Sequence, residues 1–485
     1  MTGVDPHLLV RVGVVYLMVM ATLAAWIWRR PSTRVLTGTL LAFCWNLPSL
    51  LLVNLAATRL GWWTFDARGG LFLGMPVDLY LAWAWLWALP SLALPSMPMV
   101  AVLSLALAAD VALMPLATPI LQLSTTWLVG ESVALVVALV PAQLLARWTS
   151  RDEHLAWRAV LQMLAFAGLV VFVLPAMAIE GTHSRWQNPL AWPLWRMSLV
   201  LQLLGLPAIL GISAVQEFVT RGRGTPIPFD PPRRLVSSGL YAYVGNPMQV
   251  SGVLLLLLLG LAVQNIWVAA IGVMAHVYSI GLAGWDEDDD LQRRFGTDWT
   301  EYRRGVRRWW PRWRPWQKPG GSSATLYVSE YCDMCQDVAS WFAVRRAVRL
   351  LIVPAERHPS RALTRITYES PDGLVVSGIP AVARALEHLH FGWAIAGAVM
   401  RLPVACQLIQ LIVDASGGGP RSLQGVPSAA AATCALDQAH WKLNPPIRPS
   451  TSRISPTSDS PSHTRERIVA GSISSSKTPP AVTSA

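Results

Sequence analysis

Long apolar stretches alternate with short polar ones over the first 285 residues of the chain. Nine stretches approach the roughly 20 apolar residues that a helix needs to cross a bilayer. They lie near 9–28, 35–56, 71–93, 97–116, 127–146, 157–179, 190–218, 247–263 and 265–284. Only a turn at Gln264-Asn265 separates the last two, which predicts a tight antiparallel hairpin. The pattern changes after residue 284. Residues 285–318 are polar and arginine-rich and end in WRPW and a Pro/Gly linker. Residues 322–421 mix apolar and polar positions and predict a small soluble domain. From about 440 the chain is rich in Ser, Thr and Pro. Such a segment buries too little apolar surface to offset its chain entropy, so 440–485 is expected to be a disordered tail.

This pattern predicts an all-α polytopic membrane protein of about nine transmembrane helices. Composition agrees. Hydrophobic residues make up 53% of the chain and charged residues only 14%, against roughly 25% charged in a soluble globular protein. The 24 tryptophans suit the membrane–water boundary. The net charge of +11 would suit nucleic acid, but loops biased towards the cytoplasm and a basic tail account for it without one. With the N-terminus outside, the inner loops hold Arg29, Arg30, Arg34, Arg147, Arg151, Arg158, Arg221, Arg223, Arg233 and Arg234. The outer loops hold Arg59, Arg68 and Arg185. That bias puts everything after residue 284 in the cytoplasm. The first apolar stretch is long enough to span by itself, so no cleavable signal is expected.

Chemistry concentrates around the hairpin. The stretch PFDPPRRLVSSGLYAYVGNPMQVSG leads in, and WDEDDDLQRRFGTDWTEYRRGVRRWWP leads out. A hairpin returns the chain to the face it left, so the Asn-Pro turn and the acidic run should meet at one membrane depth. The groups brought together would be the rings of Tyr241, Tyr243, Trp299 and Tyr302, the amide of Asn246, and the carboxylates of Glu287 and Asp288. Small residues at Gly245 and Gly252 would leave backbone open to a ligand. Carboxylates accept hydrogen bonds from hydroxyl or ammonium groups, and aromatic faces accept cations. Residue types alone leave the cationic ligand open. An Asn-Pro turn by itself is only a turn, and Asp286 to Asp290 by themselves could merely favour a helix N-terminus.

The segment resembles the isoprenylcysteine carboxyl methyltransferase and phospholipid methyltransferase family of integral membrane enzymes. The residues that carry the resemblance are Gly239, Tyr241, Tyr243, Asn246, Pro247 and Met248 before the hairpin. After it come Glu287, Asp288, Leu291, Phe295, Gly296, Tyr302, Val306, Arg308 and Pro311. Gly245 stands where the family usually has Arg, Gln249 replaces a common Tyr, Asp288 a second Glu, and Trp299 a Tyr. The basic helix at 303–308, or Arg233 and Arg234, would have to replace the missing arginine. The resemblance implies a transferase that uses S-adenosylmethionine and a lipid, prenylated or other apolar acceptor entering from the bilayer. It implies cofactor binding by Tyr241, Tyr243, Asn246, Pro247, Gly252, Glu287, Asp288 and Tyr302. It implies a methyltransferase domain over 186–318, behind an N-terminal transmembrane bundle over 1–185. No obligatory nucleophile or metal is required.

Five cysteines are too few and too scattered for a disulfide framework, and only Cys332 and Cys335 form a pair. A short strand at 324–329 precedes them and an apolar helix follows, the arrangement in which a helix N-terminus activates a thiol. Together with SGIPAVARALEHLHFGWA, this resembles the DCC family of thioredoxin-like domains. That resemblance implies a C-terminal α/β thioredoxin-like cytoplasmic domain over 322–421 and a thiol partner. Ser329 replaces that family's Asp. The competing function is therefore a membrane-tethered thiol–disulfide oxidoreductase whose helices are only an anchor. In the N-terminal half, Asp110 and Glu131 fall within predicted spans and should face protein or a cavity.

Overall fold

The computed structural model describes residues 5–184, 191–226 and 231–420. Arg185 and the predicted tail at 440–485 lie outside them.

The apolar stretches are helices: α1 (Pro6–Arg29), α2 (Thr33–Leu60), α3 (Val77–Ala93), α4 (Met99–Ala117), α5 (Trp127–Arg151), α6 (Leu155–Gly181), α7 (Leu194–Gly222), α8 (Pro247–Ala262) and α9 (Ile266–Ile280). The count of nine spans is corrected. Among the described residues, seven helices are long and apolar enough to cross a membrane, or eight if a bent pair at Phe391–Gly418 acts as one. The seventh segment qualifies because α9 runs on into α10 (Leu282–Phe295), giving Ile266–Phe295. Two predicted spans fall short. Residues 71–76, taken as the start of the third, instead form a small antiparallel hairpin of β2 (Leu71–Phe72) and β3 (Met75–Pro76). Gly74 turns it at φ +77, a conformation other residues rarely adopt. The 16-residue α8 starts and stops as the sequence suggests, but at 1.5 Å per residue it reaches only about 24 Å of a roughly 30 Å hydrocarbon core. The remaining short strands, β1 (Trp63–Phe65) and β4 (Leu121–Leu123), pair antiparallel and close one end of the bundle.

A core of Leu50, Leu51, Trp63, Met75, Tyr80, Trp87 and Leu139 joins α2, α3 and α5. Asp152, just past α5, is shared by three arginines: Arg158 at 3.1 Å, Arg233 at 2.7 Å and Arg34 at 3.6 Å. Their loops therefore lie at one face of the bundle. Together they hold the Asp152 carboxyl below its usual pKa.

After α10 and α11 (Thr297–Gly305) comes a four-stranded sheet in the order β6 (Leu350–Pro354), β5 (Ala324–Val328), β7 (Thr367–Glu369), β8 (Val375–Ser377). The first pair is parallel and the others antiparallel. Helix α12 (Asp333–Val344) links β5 to β6, and α13 (Ile379–Leu386), α14 (Phe391–Met400) and α15 (Pro403–Val413) follow. This region is not a loosely tethered unit. Glu217 near the end of α7 is fully buried and accepts from Arg384, from Arg401 at 2.8 Å and from Ser238 at 2.9 Å. Glu387 adds ion pairs to Arg384 at 3.2 Å and Arg401 at 2.9 Å. One carboxylate from α7 thus meets two guanidiniums across the join, and Glu387 balances them from their own side.

Candidate functional site

Helices α8 and α9 form the predicted hairpin. Pro247 starts α8 at a position that needs no backbone N–H. Asn265 caps α9 by accepting from the Trp267 and Val268 amides at 3.0 and 3.2 Å. At the other end of α8, Asn246 occupies the cap position but makes no capping bond. Its amide donates instead to Glu287 Oε2 at 3.2 Å and to Gln249 Oε1 at 3.0 Å. The two ends of the hairpin do meet, 41 residues apart in sequence.

The lead-in is stitched to the lead-out by backbone. Gly245 and Asn246 amides donate to the Arg307 and Arg308 carbonyls at 2.8 and 3.1 Å. The Arg312 and Trp316 amides donate to the carbonyls of Tyr243 and Ala242 at 3.0 and 2.7 Å. This explains Gly245. A Cβ there would lie 3.1 Å from the Arg308 Cα, so any larger residue must push the facing backbone back. The positive charge comes from Arg308 instead. Its guanidinium reaches Asp288 at 2.6 Å and the Gly284 carbonyl at 2.9 Å. Arg303 stands 3.6 Å from the same carboxylate. Of the alternatives, Arg233 is engaged with Asp152 at the α5–α6 loop. Gly296 joins α10 to α11 at φ +53 and ψ −122, accessible in practice only to glycine, which gives the Phe295-Gly296 pair its reason.

Gly245→Arg is expected to destabilise the protein by about 1–3 kcal/mol, as other overpacked substitutions do. Thermal unfolding in detergent checks this. An unchanged midpoint would mean that the 245–308 contact is not tight.

The predicted residues separate into those that can meet a ligand and those engaged elsewhere. Asn246, Glu287 and Asp288 cluster with Arg308. Tyr241 is 5% exposed, and its hydroxyl has no hydrogen-bond partner. Burial raises its pKa well above the usual tyrosine range, and Tyr302 and Glu287 raise it further. It is thus a neutral hydroxyl, packed beside Phe218 and Met248. Tyr302 serves the scaffold, its hydroxyl donating to the Tyr241 carbonyl at 2.8 Å within a cluster of Trp299, Val306, Phe295 and Trp316. Tyr243 faces the C-terminal region, donating to the Glu387 carbonyl at 2.8 Å. Gly252, further along α8, borders open space where its side chain would be.

Sequence reasoning passed over His276 and Trp309, whose rings meet at 4.2 Å on α9 and after α11. His276 Nδ1 and Trp309 Nε1 are buried without partners. Trp309 lay in the quoted lead-out and His276 in the hairpin, but neither position carries a motif. Elsewhere, the Cys332 and Cys335 sulfurs are bonded at the start of α12, with Cα atoms 5.1 Å apart. Asp110 and Glu131 face each other inside the bundle, and Glu131 is fully buried.

No family model matches this chain, and neither a curated protein nor a solved structure matches it.

Proposed function

We propose that this chain is an integral membrane methyltransferase that uses S-adenosylmethionine and methylates a lipid, prenylated or other apolar acceptor. The carrying observation is the Asn246 amide on the Glu287 carboxylate at 3.2 Å, with the partnerless Tyr241 hydroxyl buried nearby. The residues suit the cofactor. Glu287 can accept from ribose hydroxyls or an amine, Arg308 can hold a carboxylate, and Tyr241 offers a neutral donor. When bound, S-adenosylmethionine supplies a methyl group already activated by its sulfonium. The protein's part is to align the two molecules and exclude water. Asn246 fixes the Glu287 carboxylate, and the pairing of 245–246 with 307–308 fixes both against the lead-out. The open side of α8 at Gly252 gives an apolar acceptor an approach from the bilayer.

A second reading keeps one specific observation, the bonded cysteine pair where a strand gives way to a helix. The sheet order and the position of that pair support a thioredoxin-like domain. Under it the chain is a tethered thiol–disulfide oxidoreductase and the hairpin is only anchor. Product analysis of native lipid extract incubated with labelled S-adenosylmethionine separates the two. Under the methyltransferase reading Glu287→Ala removes label transfer, while Cys332→Ser with Cys335→Ser retains most of it. No label transfer by the parent protein, together with thiol–disulfide exchange that survives Glu287→Ala but is lost with the cysteines, would reverse the assignment.

A further inference from the structure

We infer that α14 and α15 form a membrane-embedded elbow whose second arm, α15, lies in the bilayer interface with its apolar stripe in lipid. Helix α15 lacks the charged outer side of a helix packed on a water-soluble domain. Its side towards the protein is half-buried Ala405, Cys406, Ile409 and Val413 with one polar residue, Gln410. Gln410 accepts from the Ile379 amide at 2.8 Å and donates to Asp414 at 2.7 Å, and Asp414 is paired with Arg365 at 2.8 Å. Its outer side carries Val404, Leu408, Leu411 and Ile412, all more than half exposed. Spacings of four, seven and eight residues put these on one stripe. No residue of α15 is buried, and no charged residue occurs from Leu402 to Val413. Water would leave that stripe uncovered, whereas lipid covers it.

The neighbouring helix fixes the occupant as lipid. Helix α14 packs Ala394 and Ala398, with Ile395 beside them, onto Leu210 and Ile209. Those two residues lie well inside α7, a helix long and apolar enough to cross the membrane. On the same helix Leu199, Leu201, Leu203 and Leu206 are exposed. Helix α14 therefore sits against a membrane-crossing surface, and α15 departs from it two residues later at a bend of 86°. A short helix turned nearly at right angles to a neighbour of a spanning helix runs along the membrane plane. The inference needs only the multi-pass architecture, not the proposed activity.

The test uses the full chain in phosphatidylcholine nanodiscs and an apolar aryl diazirine that partitions into acyl chains, with labelled peptides read by mass spectrometry. Residues 402–413 are expected to label within about threefold of residues 194–210 and about tenfold above 345–361, the contrast between interfacial and aqueous segments. Leu408→Asp with Leu411→Asp should lower labelling of 402–413 by about tenfold and leave 194–210 unchanged. Labelling of 402–413 no stronger than 345–361 in the unaltered protein would overturn the inference. So would α15-to-α15 cross-links that shield the stripe, which would make a second copy its occupant.

Discussion

Glu217→Ala is expected to cost about 3–5 kcal/mol of stability, the usual result of removing one partner from a buried ion-pair cluster. Glu217 is fully buried and accepts from two arginines and a serine. Its loss leaves Arg384 and Arg401, both deeply buried, sharing the single carboxylate of Glu387. Neither guanidinium can shed its proton, so the uncompensated charge must be rehydrated, and the join between α7 and α13–α14 opens. Denaturant unfolding in detergent measures the loss, and limited proteolysis after residue 320 should accelerate with it. Glu217→Gln keeps the shape and one acceptor, so its loss should be smaller. A Glu217→Ala protein as stable and protease-resistant as the parent would mean the two parts are not joined by this cluster.

The largest functional effect is expected at Glu287. Removing a charged hydrogen-bond acceptor from a shielded site costs about 1.5–3 kcal/mol, or roughly 10- to 100-fold in affinity. Glu287→Ala should weaken equilibrium binding of radiolabelled S-adenosylmethionine by that factor. Its side chain bonds to Asn246 and is only half-buried, so unfolding should change far less than in Glu217→Ala. Glu287→Gln should fall between, since it keeps an acceptor but no charge. Equal affinity in all three proteins would place the cofactor elsewhere.

Much of this was legible in the sequence, for identifiable reasons. Apolar runs set α1, α2 and α4 to α7 to within a few residues, because helix length in lipid is fixed by thickness. The meeting of Asn246 with Glu287 followed from hairpin geometry alone, since a short turn must return the chain to its starting face. Other features left no local trace. Glu217 pairs with residues 167 and 184 positions away, and no spacing rule anticipates such contacts. The amphipathic pattern of α15 was visible as part of a soluble domain, but a pattern does not say which face points inward. Only the bonds of Gln410 and Asp414 decide that. Gly245 read as a lost arginine, whereas the backbone of Arg308 crowds the position that a side chain would take.

The central claim is that the ends of the α8–α9 hairpin enclose a site for S-adenosylmethionine. Titration calorimetry of the full chain in detergent tests it most directly, with the parent protein and Asn246→Ala run side by side. Saturable binding to a single site, weakened in Asn246→Ala, is the expected result. No saturable heat up to millimolar cofactor, or binding undiminished in Asn246→Ala, would contradict it.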